Sequence, residues 1–251
     1  MVHAFWKDSL KIMTPCEVFH STRRVAVAVL AGVAFAVTAL PAFAASAFKS
    51  GEVIRYTVKQ AGVKAGEATI TFTGETERDG KKYTLIVFSA RGFNFFDEER
   101  IFVDNKTFLP QVVVRDINIF GNKEKITEVY DQSAGSITVT KVAGERTTVQ
   151  VLDKKGAVDN IYGFIYRYRR DTAVNSPQTF DVHLPTLDVT IAPAHDLSFN
   201  AAGKTYKATL LRSVPSKYSI WMDKSAKRLP LRIAGAIGIA NTVMTLIDYK
   251  E

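Results

Sequence analysis

DNIYGFIYRYRR, residues 159–170, is the stretch on which the fold turns. Val158, Ile161, Ile165 and Tyr168 fall at i, i+3, i+7 and i+10 and therefore share one helical face. Tyr162 widens that face and the arginines leave it. Asp159 stands where an N-cap belongs, and Arg169 with Arg170 complement the negative end of the helix dipole. Beyond the N-terminal region this is the only segment that reads as a helix. A lone helix with an aromatic stripe among strands needs a surface to lie on, and a curved sheet provides one.

On both sides of it the chain alternates. Glu52 to Lys59 sets Ile54, Tyr56 and Val58 against Arg55, Thr57 and Lys59, the pattern of a half-buried strand. Ala68 to Thr73 alternates again, with threonines on the wet face. Asp79-Gly80 marks a hairpin, and Lys82 to Ser89 follows with Tyr83, Leu85 and Val87 on one side. Phe93, Phe95 and Phe96 beside Gly92 break the rhythm and suit either a core corner or an exposed apolar lip. Asp97 to Arg100 looks like a small acidic site, but the preferred reading is a solvated strand start. Further runs cover Ile101 to Asp104, Leu109 to Ile117, Lys123 to Tyr130, Ser136 to Val142 and Thr147 to Leu152. After the helix come Gln178 to Leu184, Asp188 to Ile191, Leu197 to Asn200, Tyr206 to Arg212, Tyr218 to Asp223, Leu229 to Ala236 and Asn241 to Tyr249. Short runs separated by turn residues make an antiparallel meander.

The start of the chain reads as an export signal. Arg23-Arg24 precede an apolar run from Val25 to Leu40, and Pro41-Ala42-Phe43-Ala44 supplies small residues for cleavage after Ala44, with Ala47 as the second choice. The run has sixteen residues, short of the roughly 20 of a membrane-spanning helix. Met13 is an alternative start to Met1. Residues 1–44 are thus a signal peptide and 45–251 one exported β domain, placed in the periplasm of a Gram-negative envelope, with residues 45–49 as a mobile leader. Cys16 lies ahead of the apolar run, so the chain is not a lipoprotein. It is the only cysteine, and the exported part has no disulfide to lean on. About 207 residues suffice without one, because a domain of that size buries on the order of 70% of its unfolded surface.

The whole chain carries a net charge of +8. Removing residues 1–44 takes away four basic and two acidic groups and leaves +6. The charges are interspersed, which allows mild attraction to a membrane surface or lipopolysaccharide and argues against a nucleic-acid partner. No catalytic or metal signature emerges. The exported part has two histidines, His183 and His195, neither with a Cys, His or Glu cluster, so no metal site and no cofactor are expected. No Gly-x-Ser-x-Gly elbow occurs, and Ser46 to Lys49 fits Ser-x-x-Lys only in letters. Aromatic and aliphatic side chains are what the chain offers in quantity. Phe93, Phe95, Phe96, Ile161, Tyr162, Ile165 and Tyr166 are the candidate lining of a groove for a lipid or other apolar ligand.

Gly51-Glu52, Tyr56-Thr57-Val58 and Ala65-Gly66-Glu67-Ala68 resemble the opening of the bacterial exported family known as domain of unknown function 3108. Trp221-Met222-Asp223, Lys227-Arg228-Leu229-Pro230-Leu231 and the strand to Tyr249 are similar to its close, and the helix from Asp159 to Tyr166 is similar to its middle. Tyr162-Gly163 and Lys59-Gln60 depart from its pattern. The resemblance implies one strongly curved antiparallel sheet, a spiral or half-open β-barrel like that of the bacterial lipoprotein carriers LolA and LolB, around one central helix. It transfers no activity. The expected function is a non-enzymatic envelope protein binding an apolar ligand on the concave face. An envelope scaffold that binds another protein through a filled core is the alternative, and a hydrolase with an unrecognised site is the third.

Overall fold

The protein is described here from a computed structural model covering residues 47–154, 156–172, 178–237 and 242–251. The segment read as an export signal, with Met13, Cys16 and the expected cleavage position after Ala44, lies outside the described residues. The first meander comprises β1 (Glu52–Gln60), β2 (Val63–Arg78), β3 (Lys81–Gly92), β4 (Phe95–Val103), β5 (Pro110–Ile119), β6 (Asn122–Asp131), β7 (Ser136–Ala143) and β8 (Arg146–Asp153). Helix α1 (Ile161–Asp171) follows. The second meander comprises β9 (Phe180–His183), β10 (Asp188–Ala201), β11 (Lys204–Val214), β12 (Ser219–Asp223), β13 (Pro230–Ala234) and β14 (Thr242–Lys250).

All fourteen strands form one antiparallel sheet, joined in the middle where β1 pairs with β14, so that β8 and β9 are its two edges. Those edges do not pair with one another, and the barrel stays open. The connection between them crosses the gap instead. Lys154 N donates to Gly135 O at 2.7 Å, Val158 makes an isolated parallel bridge to His183, and Asp159 N donates to His183 O at 2.7 Å. The helix therefore hangs from the seam and drops into the concavity.

Curvature has local causes. Register slips at Val58/Lys59, Phe72/Gly74 and Phe102/Val103 insert extra residues that bend and twist the strands. Gly74 serves one of these bends at φ +92°, and a Cβ there would run into the Ser50 side chain. Two expected strands, Asp188 to Ile191 and Leu197 to Asn200, are one long strand, β10. Its register slips between Pro193 and His195, which lets the ladder run past a proline.

Cross-strand rows show what the concave face offers the helix. One row runs Ile54, Ile70, Phe88, Glu99, Arg115, Ile126 across β1 to β6, and its neighbour runs Glu52, Phe72, Ile86, Ile101, Val113, Glu128. The first row is thus apolar on β1–β3 and turns polar at Glu99 and Arg115, whereas the second is apolar from Phe72 to Val113 with a carboxylate at each end, Glu52 and Glu128. On β3 the inward side is Ile86 and Phe88, opposite Leu85 and Val87; both sides are apolar, and alternation alone does not choose between them.

The helix meets sheet on several sides, and Ile161 to Tyr166, Tyr168 and Arg169 are all buried. Tyr162 stacks on Phe88 with centroids 4.3 Å apart, Tyr166 packs on Phe48 and Phe72, and Phe164 with Tyr168 meets Phe180 of β9. Three local expectations are corrected. The N-cap is Asn160, whose Oδ1 accepts from Tyr162 N at 2.9 Å and Gly163 N at 3.3 Å; Asp159 pairs with Arg167 instead. Arg169 does not leave the buried face. Ala47 and Phe48 are no mobile leader: both are buried, with the Phe48 ring wedged between Phe72 and Tyr166.

Candidate functional site

The C-terminal end of the helix is sealed by a buried ion pair. Ile161, Ile165 and Arg169 are spaced by four, and Glu52 shares its side of β1 with Ile54 and Tyr56, so helix and strand periodicities bring the two charges face to face. Arg169 donates to both oxygens of Glu52, at 2.6 and 2.7 Å, and both side chains are fully buried. Tyr166 Oη donates to Glu52 Oε1 at 2.9 Å and Tyr249 Oη to Oε2 at 3.2 Å. Arg169 also donates to the carbonyls of Ala47 and Lys227. Burial alone would lower the Arg169 pKa, but hydrogen bonds and the charge of Glu52 outweigh it and raise the value. The charges are paired and hydrogen-bonded, as a buried bridge must be if it is not to be costly.

The N-terminal end is different. Arg115 clasps Asp97 with bonds of 2.7 and 2.6 Å, and Glu99, beside it at 4.0 Å, accepts from Asn160 Nδ2. Within β6, Tyr130 donates to Glu128. Desolvation pushes the Glu99 carboxyl up to about 7, only partly offset by Arg115, and Glu128 is raised for the same reason. Asp159 is raised by burial to about 6 despite Arg167. The buried Tyr162 hydroxyl and Asp159 Oδ1 have no hydrogen-bond partner. Among the described residues no three of His, Cys, Asp and Glu are grouped to hold a metal ion. Asp97 to Arg100 is thus no solvated strand start. Its inward members are buried, and only Glu98 and Arg100 face out, where Arg100 meets Asp116.

The third region lies at one rim of the sheet, where hairpin tips meet. A pocket of about 100 Å³ is lined by Val58, Ala65, Phe93, Phe95, Ile119, Phe120 and Ile237, with Arg91 and Gln60 at its polar side. Phe120 N donates to Asn94 O at 2.8 Å and ties two of the tips together. Gly66 and Gly92 face each other across β2 and β3, and a Cβ on either would strike the opposing backbone. The two strands pinch there, which draws the Phe93 hairpin over the pocket.

The seven candidate residues divide between these places. Ile161, Tyr162, Ile165 and Tyr166 are packed between helix and sheet. Phe93 and Phe95 line the rim pocket, and Phe96 turns outward beneath Arg91, whose guanidinium lies 5.1 Å from the ring centroid. Glu52, Arg169, Asp97, Glu99, Arg115 and Glu128 were not among the candidates. Alternation carried a signal for Glu52, Asp97 and Glu99, each two residues from an inward apolar neighbour.

The family described as "Protein of unknown function (DUF3108)" matches residues 55–247. No curated protein matches the chain. Among solved structures, a beta-barrel-like protein of domain of unknown function DUF1849 from Brucella abortus is similar, with 7% sequence identity and a TM-score of 0.44, over 80% of this chain and 97% of that one.

Proposed function

The chain belongs to the DUF3108 family of proteins of unknown function, and on that premise we propose a periplasmic binding protein that takes an apolar group in the rim pocket. Binding rather than catalysis is its role. The supporting observation is the lining contributed by four separate connections, β1–β2, β3–β4, β5–β6 and β13–β14, around one small apolar volume. The concave face itself, beneath the helix, is occupied by the protein's own aromatic rings. About 100 Å³, smaller than the apolar cavity near 150 Å³ that takes up benzene, suits the end of an acyl chain. Four methylenes contribute about 3 kcal/mol, so a free ligand is held with a dissociation constant in the millimolar range. Export fits cleavage after Ala44 better than after Ala47, because Arg169 uses the Ala47 carbonyl.

Saturation-transfer NMR with octanoate tests this reading. Transfer is expected at the chain's terminal methyl, to be lost in Ile119→Trp, which fills the pocket, and kept in Ile165→Val. Equal transfer in Ile119→Trp would remove the pocket from the account. One separate observation favours a second reading, protein binding by strand addition. Edge strand β8 is exposed on both faces along almost its whole length. Protection of β8 amides from exchange in a complex, with no octanoate signal, would favour it.

A further inference from the structure

We infer that the rim bearing the pocket docks on an anionic lipid bilayer. The observations are the three hairpin tips themselves. Phe93 on β3–β4, Phe120 on β5–β6 and Val63 on β1–β2 are 89%, 75% and 72% exposed, the two phenylalanines within their turns and Val63 as the first strand residue after its turn. Folding places these side chains in water although smaller residues would serve the turns. The same tips, residues 59–64, 91–96 and 118–123, carry Lys59, Lys64, Arg91 and Lys123, all exposed, and no carboxylate. Lys64 pairs with Glu67 just behind the tip at 3.1 Å. Two of the turns at the other ends of these strands differ in chemistry, while the third, Arg78 to Lys82, is basic but carries no large exposed hydrophobe. Asp104 Oδ1 caps its turn by accepting from Lys106 N and Thr107 N, Asp131 Oδ1 accepts from Ser133 N and Ala134 N, and no large exposed hydrophobe sits at either tip.

Separate apolar knobs with cationic shoulders suit a surface that is negatively charged at headgroup depth and apolar just below. A protein partner would be expected to meet a contiguous patch and opposed charges of fixed register; here the knobs are on different hairpins and the charge on those three tips has one sign, with Glu145 on the adjacent β7–β8 tip. Among the described residues no helix is long and apolar enough to cross a membrane. The inference goes beyond the pocket reading and does not need it, though a docked rim would set the pocket mouth against acyl chains.

Co-sedimentation of the purified protein with phosphatidylcholine vesicles containing 0–40% phosphatidylglycerol tests it. Binding is expected to rise with the anionic fraction and fall with salt. Each removed cation should weaken it about fivefold, and Lys59→Glu/Lys64→Glu/Lys123→Glu should weaken it a hundredfold or more. Phe93→Ser/Phe120→Ser should weaken it at every composition. The charge variant leaves the pocket lining intact, so in vesicle-free solution its octanoate transfer matches wild type. That control also reports folding, and far-UV circular dichroism does so independently. Sedimentation that is unchanged in both variants, or absent in wild type at low salt, overturns docking. Lost octanoate transfer in wild type with vesicle binding intact overturns only the pocket reading.

Discussion

The helix seat and the rim are built from the same kinds of residue and end in opposite states. In the seat, Tyr162 lies on Phe88 and Tyr166 on Phe48 and Phe72. At the rim, Phe93 is almost wholly in water and Phe95 borders a pocket. The difference is who supplies the partner. A buried helix must fill the sheet it lies on, and interiors pack to the density of organic crystals. Hairpin tips have no element above them, so their apolar side chains remain available to something else. Abundant aromatic residues mark where binding energy is stored, and topology decides whether the protein has already used it.

The largest break in this contrast should come from the seat's ion pair. Arg169→Ala leaves Glu52 buried and without its cation, and is expected to cost about 3–5 kcal/mol in urea unfolding. Glu52→Leu with Arg169→Met should recover most of that loss, because the matched charges are replaced together.

Next in size is a pH effect at the other end of the helix. The Glu99 carboxyl ionises near its ordinary 4.5 in the unfolded chain and near 7 when folded. The folded state therefore holds the extra proton between those values, and stability falls as pH rises from about 4.5 to about 7, then levels. The loss is of order 3 kcal/mol. Asp159, raised from 3.8 to about 6, acts in the same direction at lower pH. In Glu99→Gln the part of the slope between pH 6 and 7 should flatten, with higher stability than wild type at pH 8.

Two tyrosines one turn apart sharpen the comparison within the seat. Tyr166→Phe removes a hydrogen bond to a buried carboxylate and should cost about 2 kcal/mol. Tyr162→Phe removes a hydroxyl that has no partner and should gain about 1 kcal/mol. Smallest is the rim: Phe93→Ser should change unfolding free energy by less than about 0.5 kcal/mol, while still weakening vesicle binding.

Much of this was legible in the chain. Alternation from Glu52 onward and the spacing of Ile161 and Ile165 pointed to an antiparallel meander with one helix lying on it, and the family resemblance supplied the strong curvature around that helix. The strand pattern also held Glu52, Asp97 and Glu99 in inward positions, but an acidic letter reads as solvated until its partner is known. Glu52 and Arg169 are 117 residues apart, and Arg115 reaches Asp97 only because β5 pairs with β4. Pairing of that kind is set by topology, which local spacing does not encode. Phe48 was missed for a related reason: a short segment next to a signal looks mobile, and only the gap between Phe72 and Tyr166 gives it a place. For Phe93, Phe95 and Phe96 the choice between corner and lip depended on which hairpin tips converge.

The central claim is that the apolar pocket at the rim is open to a ligand while the seat beneath the helix is filled by the protein's own rings. Isoleucine methyl spectra recorded through an octanoate titration test it most directly. The account predicts saturable shifts at Ile119 and Ile237 with Ile161 and Ile165 unmoved. Shifts at Ile161 and Ile165 while the rim methyls stay still would contradict it.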